Sequence, residues 1–166
     1  MLVKLNGKYG GHAIVDRRWA LAIPEILEKP WHQSNKGYVR RSIYVDGVVK
    51  SQFMHRLIYE KIHGEIPEGY ELDHINRNTL DNRRCNLRLA TCSQNHMNTV
   101  KHRKSSSKYK GVCWCKKLQK WGAYISINKK KQFLGYFEKE EDAARRYNTA
   151  SRKYYKRFKQ LNKVKG

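Results

Sequence analysis

Residues 99–108 read TVKHRKSSSK: four lysines or arginines, three serines, and Val100 as the one apolar group. Such a stretch cannot enter a core, because ordering and desolvating its charges would cost more than one valine returns. It therefore separates the apolar residues before it from those after it. The chain is expected to fold as two small modules joined by a linker, with boundaries at 1–98, 99–108 and 109–162. The linker's charge suits a segment that crosses or follows phosphate.

Apolar residues make up 39% of the 166, enough for two small cores. Lysine and arginine number 36 against 14 aspartates and glutamates, a net charge of +22. That excess says little about fold and much about partners: the chain seeks a polyanion. Mean hydropathy is −0.89, and no apolar run approaches the roughly 18 residues of a membrane span, so a transmembrane helix is excluded and no membrane partner is expected. The start, MLVKLNGKYGGH, has no apolar signal core. The cytoplasm is the expected compartment, with Cys85, Cys92, Cys113 and Cys115 as reduced, buried or half-exposed thiols. Their C-x6-C and C-x-C spacings do not resemble zinc-ligand pairs, and structural zinc is not expected.

Periodicity then places elements. Tyr38–Val45 and Val48–Met54 flank Asp46-Gly47, a dipeptide suited to a tight hairpin. His55–His63 reads as a helix with Leu57, Ile58 and Ile62 on one side and Gly64 to end it. Tyr70–Ile75 and Asn86–Ala90 read as short strands around a polar loop, Asn76–Cys85. Thr91 and Gln94 have capping-box spacing, so a helix should start near Cys92.

Asp73-His74 is followed twelve residues after the histidine by Asn86, and nine further on by Asn95. Two strands and a helix would gather all four. The segment YELDHINRNTLDNRRCNLRLATCSQNHMN, with MHRLIYEKIHG before it, resembles the HNH nucleases of phage and intron type. The resemblance implies a ββα-metal fold and phosphodiester hydrolysis. It makes His74 the general base and Asp73 and Asn95 the ligands of one divalent metal, magnesium with manganese as a substitute. Asn86 would hydrogen-bond across the loop and fix the backbone near His74. These roles suit the residue types, since neutral imidazole accepts a proton from water near neutral pH and a hard cation prefers oxygen. His96 lies about 100° from Asn95 on a helix, so both cannot face one ion. Spacing favours Asn95. Adjacent residues on a strand point to opposite faces, so Asp73 and His74 converge only where the strand ends or twists.

Beyond the linker, Tyr109–Cys115, Trp121–Ile127 and Lys131–Phe137 read as strands, the last two joined by Asn128-Lys129-Lys130. A helix is expected from about Lys139 to Phe158, with Ala143, Tyr147, Ala150 and Tyr154 on its buried face. Tyr109-Lys110-Gly111-Val112, Lys120-Trp121, Leu134-Gly135-Tyr136-Phe137 and Glu141-Asp142-Ala143-Ala144 resemble the APETALA-type DNA-binding domain of plant ethylene-response factors. In that family a three-stranded sheet enters the major groove. The resemblance makes Lys110, Cys113, Cys115, Tyr124, Ser126, Lys131 and Phe133 the groove-facing residues, with lysine, cysteine or serine where the plant domains carry arginine. Trp114 and Trp121, with Val112 and Ile125, are expected in the sheet's core.

The expectation is an α+β chain: a ββα-metal nuclease module with a β-rich N-terminal extension, then a three-stranded antiparallel sheet on one helix. The expected activity is homing-type cleavage of double-stranded DNA by a monomer that nicks, with no small-molecule substrate. A non-catalytic DNA-binding regulator on the same scaffold is the alternative.

Overall fold

A computed structural model describes residues 1–99 and 106–164. The linker reading falls largely on residues 100–105, outside that set. Contacts divide the chain between Thr91 and Cys92, into units Met1–Thr91 and Cys92–Gly166. The helix that starts at Cys92 thus groups with the C-terminal half, ahead of the boundary read from the sequence at residue 98.

The first unit opens with β1 (Leu2–Lys4) and β2 (His12–Ile14), an antiparallel pair, then α1 (Arg17–Ala22) and α2 (Glu25–Glu28). Next come β3 (His32–Gln33), β4 (Val39–Val45) and β5 (Val48–Phe53), an antiparallel sheet in that order. Asp46 and Gly47 take φ of 53° and 75° between Val45 and Val48, the two positive values that a twisted two-residue hairpin needs. α3 (Met54–His63) follows directly, and Gly64 ends it. The unit closes with β6 (Tyr70–His74), a 3₁₀ turn at Arg84–Asn86, and β7 (Leu87–Thr91), paired antiparallel with β6.

Its core joins Val3, Leu5, Ala13 and Val15 to Ile26, Trp31 and Val39 and to Met54, Leu57 and Ile58 of α3. Trp31 is 1% exposed, and its indole N–H donates to the Ile26 carbonyl. Arg41 covers Trp31 at 4.7 Å and donates to the Glu25 carbonyl and the Gln52 amide oxygen, so β4 buries a charged residue without orphaning it.

The second unit contains α4 (Cys92–Asn98), β8 (Val112–Cys115), β9 (Lys120–Ile127), β10 (Lys130–Phe137) and α5 (Glu140–Tyr155), then a 3₁₀ turn at Lys156–Phe158. The sheet is antiparallel, ordered β10-β9-β8, and α5 packs on one face through Ala143, Ala144, Tyr147 and Ala150. Asn128 and Lys129 take φ of 50° and 63° and complete a two-residue turn, so Lys130 belongs to the strand. Val112 and Ile125 are buried, and Trp121 packs on that core with Trp114 edge-on against it.

Gly111 has φ of 75°, and a Cβ there would run into the Tyr147 ring. Gly111→Ala should therefore destabilise this unit by about 1–3 kcal/mol from overpacking alone. Urea unfolding followed by tryptophan fluorescence would show it. An unchanged midpoint would mean that Tyr147 has room to move.

Candidate active site

β6 keeps a regular ladder to its last residue, with Asp73 opposite Arg88 and His74 opposite Leu87. The two candidate residues therefore begin on different faces. The Asp73 carboxylate, 5% exposed, meets the Arg88 guanidinium: Nε and Nη2 donate to Oδ2 at 2.9 and 2.7 Å. His74, 4% exposed, sits where the strand gives way to the loop.

That loop is built by its own amides. The Asn76 N–H donates to Asn86 Oδ1 at 2.9 Å, and Asn86 Nδ2 donates to the Asp81 carbonyl at 2.7 Å. Asn86 thus spans the loop, while its carbonyl accepts the Ile75 N–H. Asn76 and Asn78 accept backbone N–H groups two residues on, the local turns that asparagine favours. Asp81, 1% exposed, takes two hydrogen bonds from the Arg83 guanidinium, which hold its carboxyl below the usual carboxylate range.

Asn82 completes the arrangement. Its Nδ2 donates to the Leu80 carbonyl at 3.1 Å, which turns its amide oxygen toward His74 Nε2 at 3.3 Å. An amide oxygen only accepts, so Nε2 carries the proton and Nδ1 the basic lone pair. Burial pushes the imidazole below its ordinary value. The Asn82 hydrogen bond and the Asp73 and Asp81 charges oppose that shift without reversing it. His74 is neutral at physiological pH, as a general base must be.

The N-terminal extension holds the loop in place. Ile14 N–H donates to the Leu80 carbonyl and the Asn82 N–H donates to the Ile14 carbonyl, while Arg84 N–H donates to Asp16. β2 is in effect a splint for residues 80–84.

His55, at the start of α3, packs edge-on against His74 at 5.1 Å between Tyr38 and Phe53. Burial, then the nearby His74 and Arg56, push it down to about 3. The unfolded chain takes up this proton below about pH 6.5 and the folded chain does not until about 3, so stability falls as pH drops through that window. The slope due to His55 is about 1.4 kcal/mol per pH unit. His55→Phe should make the loss of stability on acidification shallower by that amount. Denaturant titrations between pH 7 and 4 would measure it, and equal slopes would contradict it.

Asn95 lies on α4, with the second unit. In that unit the sheet face away from α5 carries Tyr124, Phe133 and Tyr136. Their rings lie in sequence at 5.2 and 4.6 Å, and Lys131 Nζ stands 3.9 Å over Tyr124. A register shift between Phe133 and Gly135 lets both Phe133 and Tyr136 face this side. Ser126 is exposed on it, and Cys113 and Cys115 are half-exposed. Cys85 and Cys92 are exposed, not buried or half-exposed as read from the sequence. Lys110 is engaged elsewhere: its ammonium donates to the carbonyls of His96, Met97 and Thr99.

The family model for HNH endonucleases matches residues 52–97, the span from the end of β5 through α4. An uncharacterised HNH endonuclease of Acanthamoeba polyphaga mimivirus, L560, is 31% identical over 144 residues, 85% of this chain and 71% of that protein. The chain belongs to the HNH endonuclease family. Protein 3.8 of Escherichia phage T7 is 33% identical over 81 residues, 49% of this chain and 67% of that protein. No solved structure matches.

HNH nucleases generally use a divalent metal. The Asp73 carboxylate, buried and oriented by Arg88, is an oxygen donor of the kind a hard cation prefers. Among the described residues no group of three His, Cys, Asp or Glu converges. Four residues that shape the site, His55, Asp81, Asn82 and Arg88, lie inside the motifs quoted for the resemblance, with no individual role assigned to them there. Asp81 and Asn82 open the DNRRCNLR run of a polar loop whose internal hydrogen bonds leave no sequence period, and the strand register alone would have paired Arg88 with Asp73.

Proposed function

We propose that this HNH endonuclease is a metal-dependent, homing-type enzyme that hydrolyses a phosphodiester bond in double-stranded DNA and nicks one strand as a monomer. The His74–Asn82 hydrogen bond carries the reading, because it leaves Nδ1 as the nitrogen able to take a proton. His74 Nδ1 removes a proton from water, the water oxygen bonds to phosphorus, and the P–O bond to the leaving oxygen breaks. Asp73 and Asn95 would hold magnesium or manganese, which when bound supplies charge neutralisation at the phosphate. Arg88 holds the Asp73 carboxylate in one orientation, and Asn86 and Asp81 fix the loop behind His74.

The C-terminal unit is proposed as an APETALA-type DNA reader. Tyr124, Ser126, Lys131 and Phe133 would contact DNA, with Tyr136 beside them. An exposed aromatic cluster under a lysine supports this, as does the chain's charge of +22. Phage- or intron-borne action in the cytoplasm of a bacterial host is supported by the relative from Escherichia phage T7. Among the described residues no helix is long and apolar enough to cross a membrane.

The rival reading, a regulator that binds without cutting, predicts a different fate for bound DNA. Labelled duplex held in a retarded complex with chelator should break when magnesium is added in excess. A complex that persists with intact DNA would favour the regulator.

A further inference from the structure

α4 has seven residues, too few to hold a helix by itself in water. Its C-terminal carbonyls are among the groups a helix leaves unbonded. Lys110 adds a cationic donor here, its ammonium lying 2.9 Å from Met97 O, 2.6 Å from Thr99 O just past the helix, and 3.3 Å from His96 O, which also accepts from the Thr99 hydroxyl. A cation at this end also suits the helix dipole. Lys110 is itself pinned: its N–H donates to Asn162 Oδ1 at 2.7 Å, and its carbonyl accepts Asn162 Nδ2 at 3.0 Å. Asn162 is bound twice to Asn148 of α5, at 2.7 and 2.9 Å. Met97 adds an apolar anchor against Ile125, Tyr147 and Tyr155. A cleft lined by Cys92, His96, Tyr124 and Ser126 runs beside α4. Lys110 and Met97 are thus two attachments of α4 to this unit, beside its packing on the turn at Lys156–Phe158.

We infer that Lys110 is a positioning residue for metal binding, clamping the helix that bears Asn95 to the rigid C-terminal domain through the Asn162–Asn148 pair. The inference rests on the proposed metal role of Asn95. It also changes what the C-terminal domain is for. The domain holds the helix that carries a ligand as well as gripping DNA, so removing it would disturb the chemistry along with the affinity.

The test uses the full chain and magnesium. Lys110→Met should raise the magnesium concentration for half-maximal cleavage about 10-fold, within the range seen when a residue supporting a metal ligand is lost. The rate should recover toward wild type at saturating magnesium, and duplex affinity measured in chelator should hold. Lys110→Arg, which keeps a cation able to reach carbonyls, should restore most of the magnesium dependence. If Lys110→Met does not fold, Lys110→Gln serves in its place, with circular dichroism as the control.

An unmoved magnesium midpoint, with weaker binding and a shallower salt slope, would overturn the inference and make Lys110 a phosphate contact. Asn95→Ala separates the two readings. If it shifts the midpoint and Lys110→Met does not, the clamp is wrong and Asn95 stands. If neither shifts it, the role of Asn95 falls and the clamp with it.

Discussion

Asp73→Asn is expected to abolish detectable cleavage and to lower the stability of the first unit by about 3–5 kcal/mol, the usual effect of removing one partner from a buried ion pair. The substitution keeps the side chain's shape, so no cavity contributes. What it removes is the charge opposite Arg88, whose side chain is only 12% exposed. The guanidinium is left in a site with little water. Asp73→Asn combined with Arg88→Met should recover much of the stability, since neither charge then remains, yet should stay inactive. Urea midpoints and plasmid cleavage on the same preparations separate the two effects. A stable and active Asp73→Asn variant would show the carboxylate to be peripheral.

His74→Ala should slow cleavage by ~10²–10⁴-fold, the range for losing a general base. Binding to duplex in chelator should stay close to wild type, because the imidazole is buried behind Tyr38 and His55 and offers DNA no charge. Asn82→Leu should reproduce part of the loss. Without the amide oxygen the hydrogen bond that holds the proton on Nε2 is lost, and Nδ1 is the base in a smaller fraction of molecules. A rate for His74→Ala within a factor of two or so of wild type would remove His74 from the mechanism.

The elements that punctuate themselves were readable in the sequence. Asp46-Gly47 gave its hairpin, and the alternation in β4 put Val39 and Arg41 inward with Ser42 and Tyr44 outward. Thr91 and Gln94 predicted a helix at Cys92, where α4 begins. The N-terminal extension was much less readable. β1 and β2 have three residues each, too short for a period to register, and their role is to splint a loop almost seventy residues away. Tyr154 was expected inside and is 43% exposed. Lys156 leaves the helix at φ of 46°, and it is Tyr155 that turns in, donating to the Ser126 carbonyl. The allegiance of α4 was hidden for a physical reason. Several of the contacts that tie it to the second unit run from a lysine ammonium to backbone carbonyls, and backbone acceptors leave no mark on a sequence. The same holds for the tautomer of His74, which depends on which way an amide faces.

Supercoiled plasmid incubated with the purified chain and magnesium, beside His74→Ala at equal concentration, tests the hydrolytic centre most directly. The account predicts nicked circles from the wild type, none with chelator, and almost none from the variant although it retards the plasmid equally. Plasmid that stays supercoiled under the wild type while being bound, or that is nicked equally by both proteins, would contradict it.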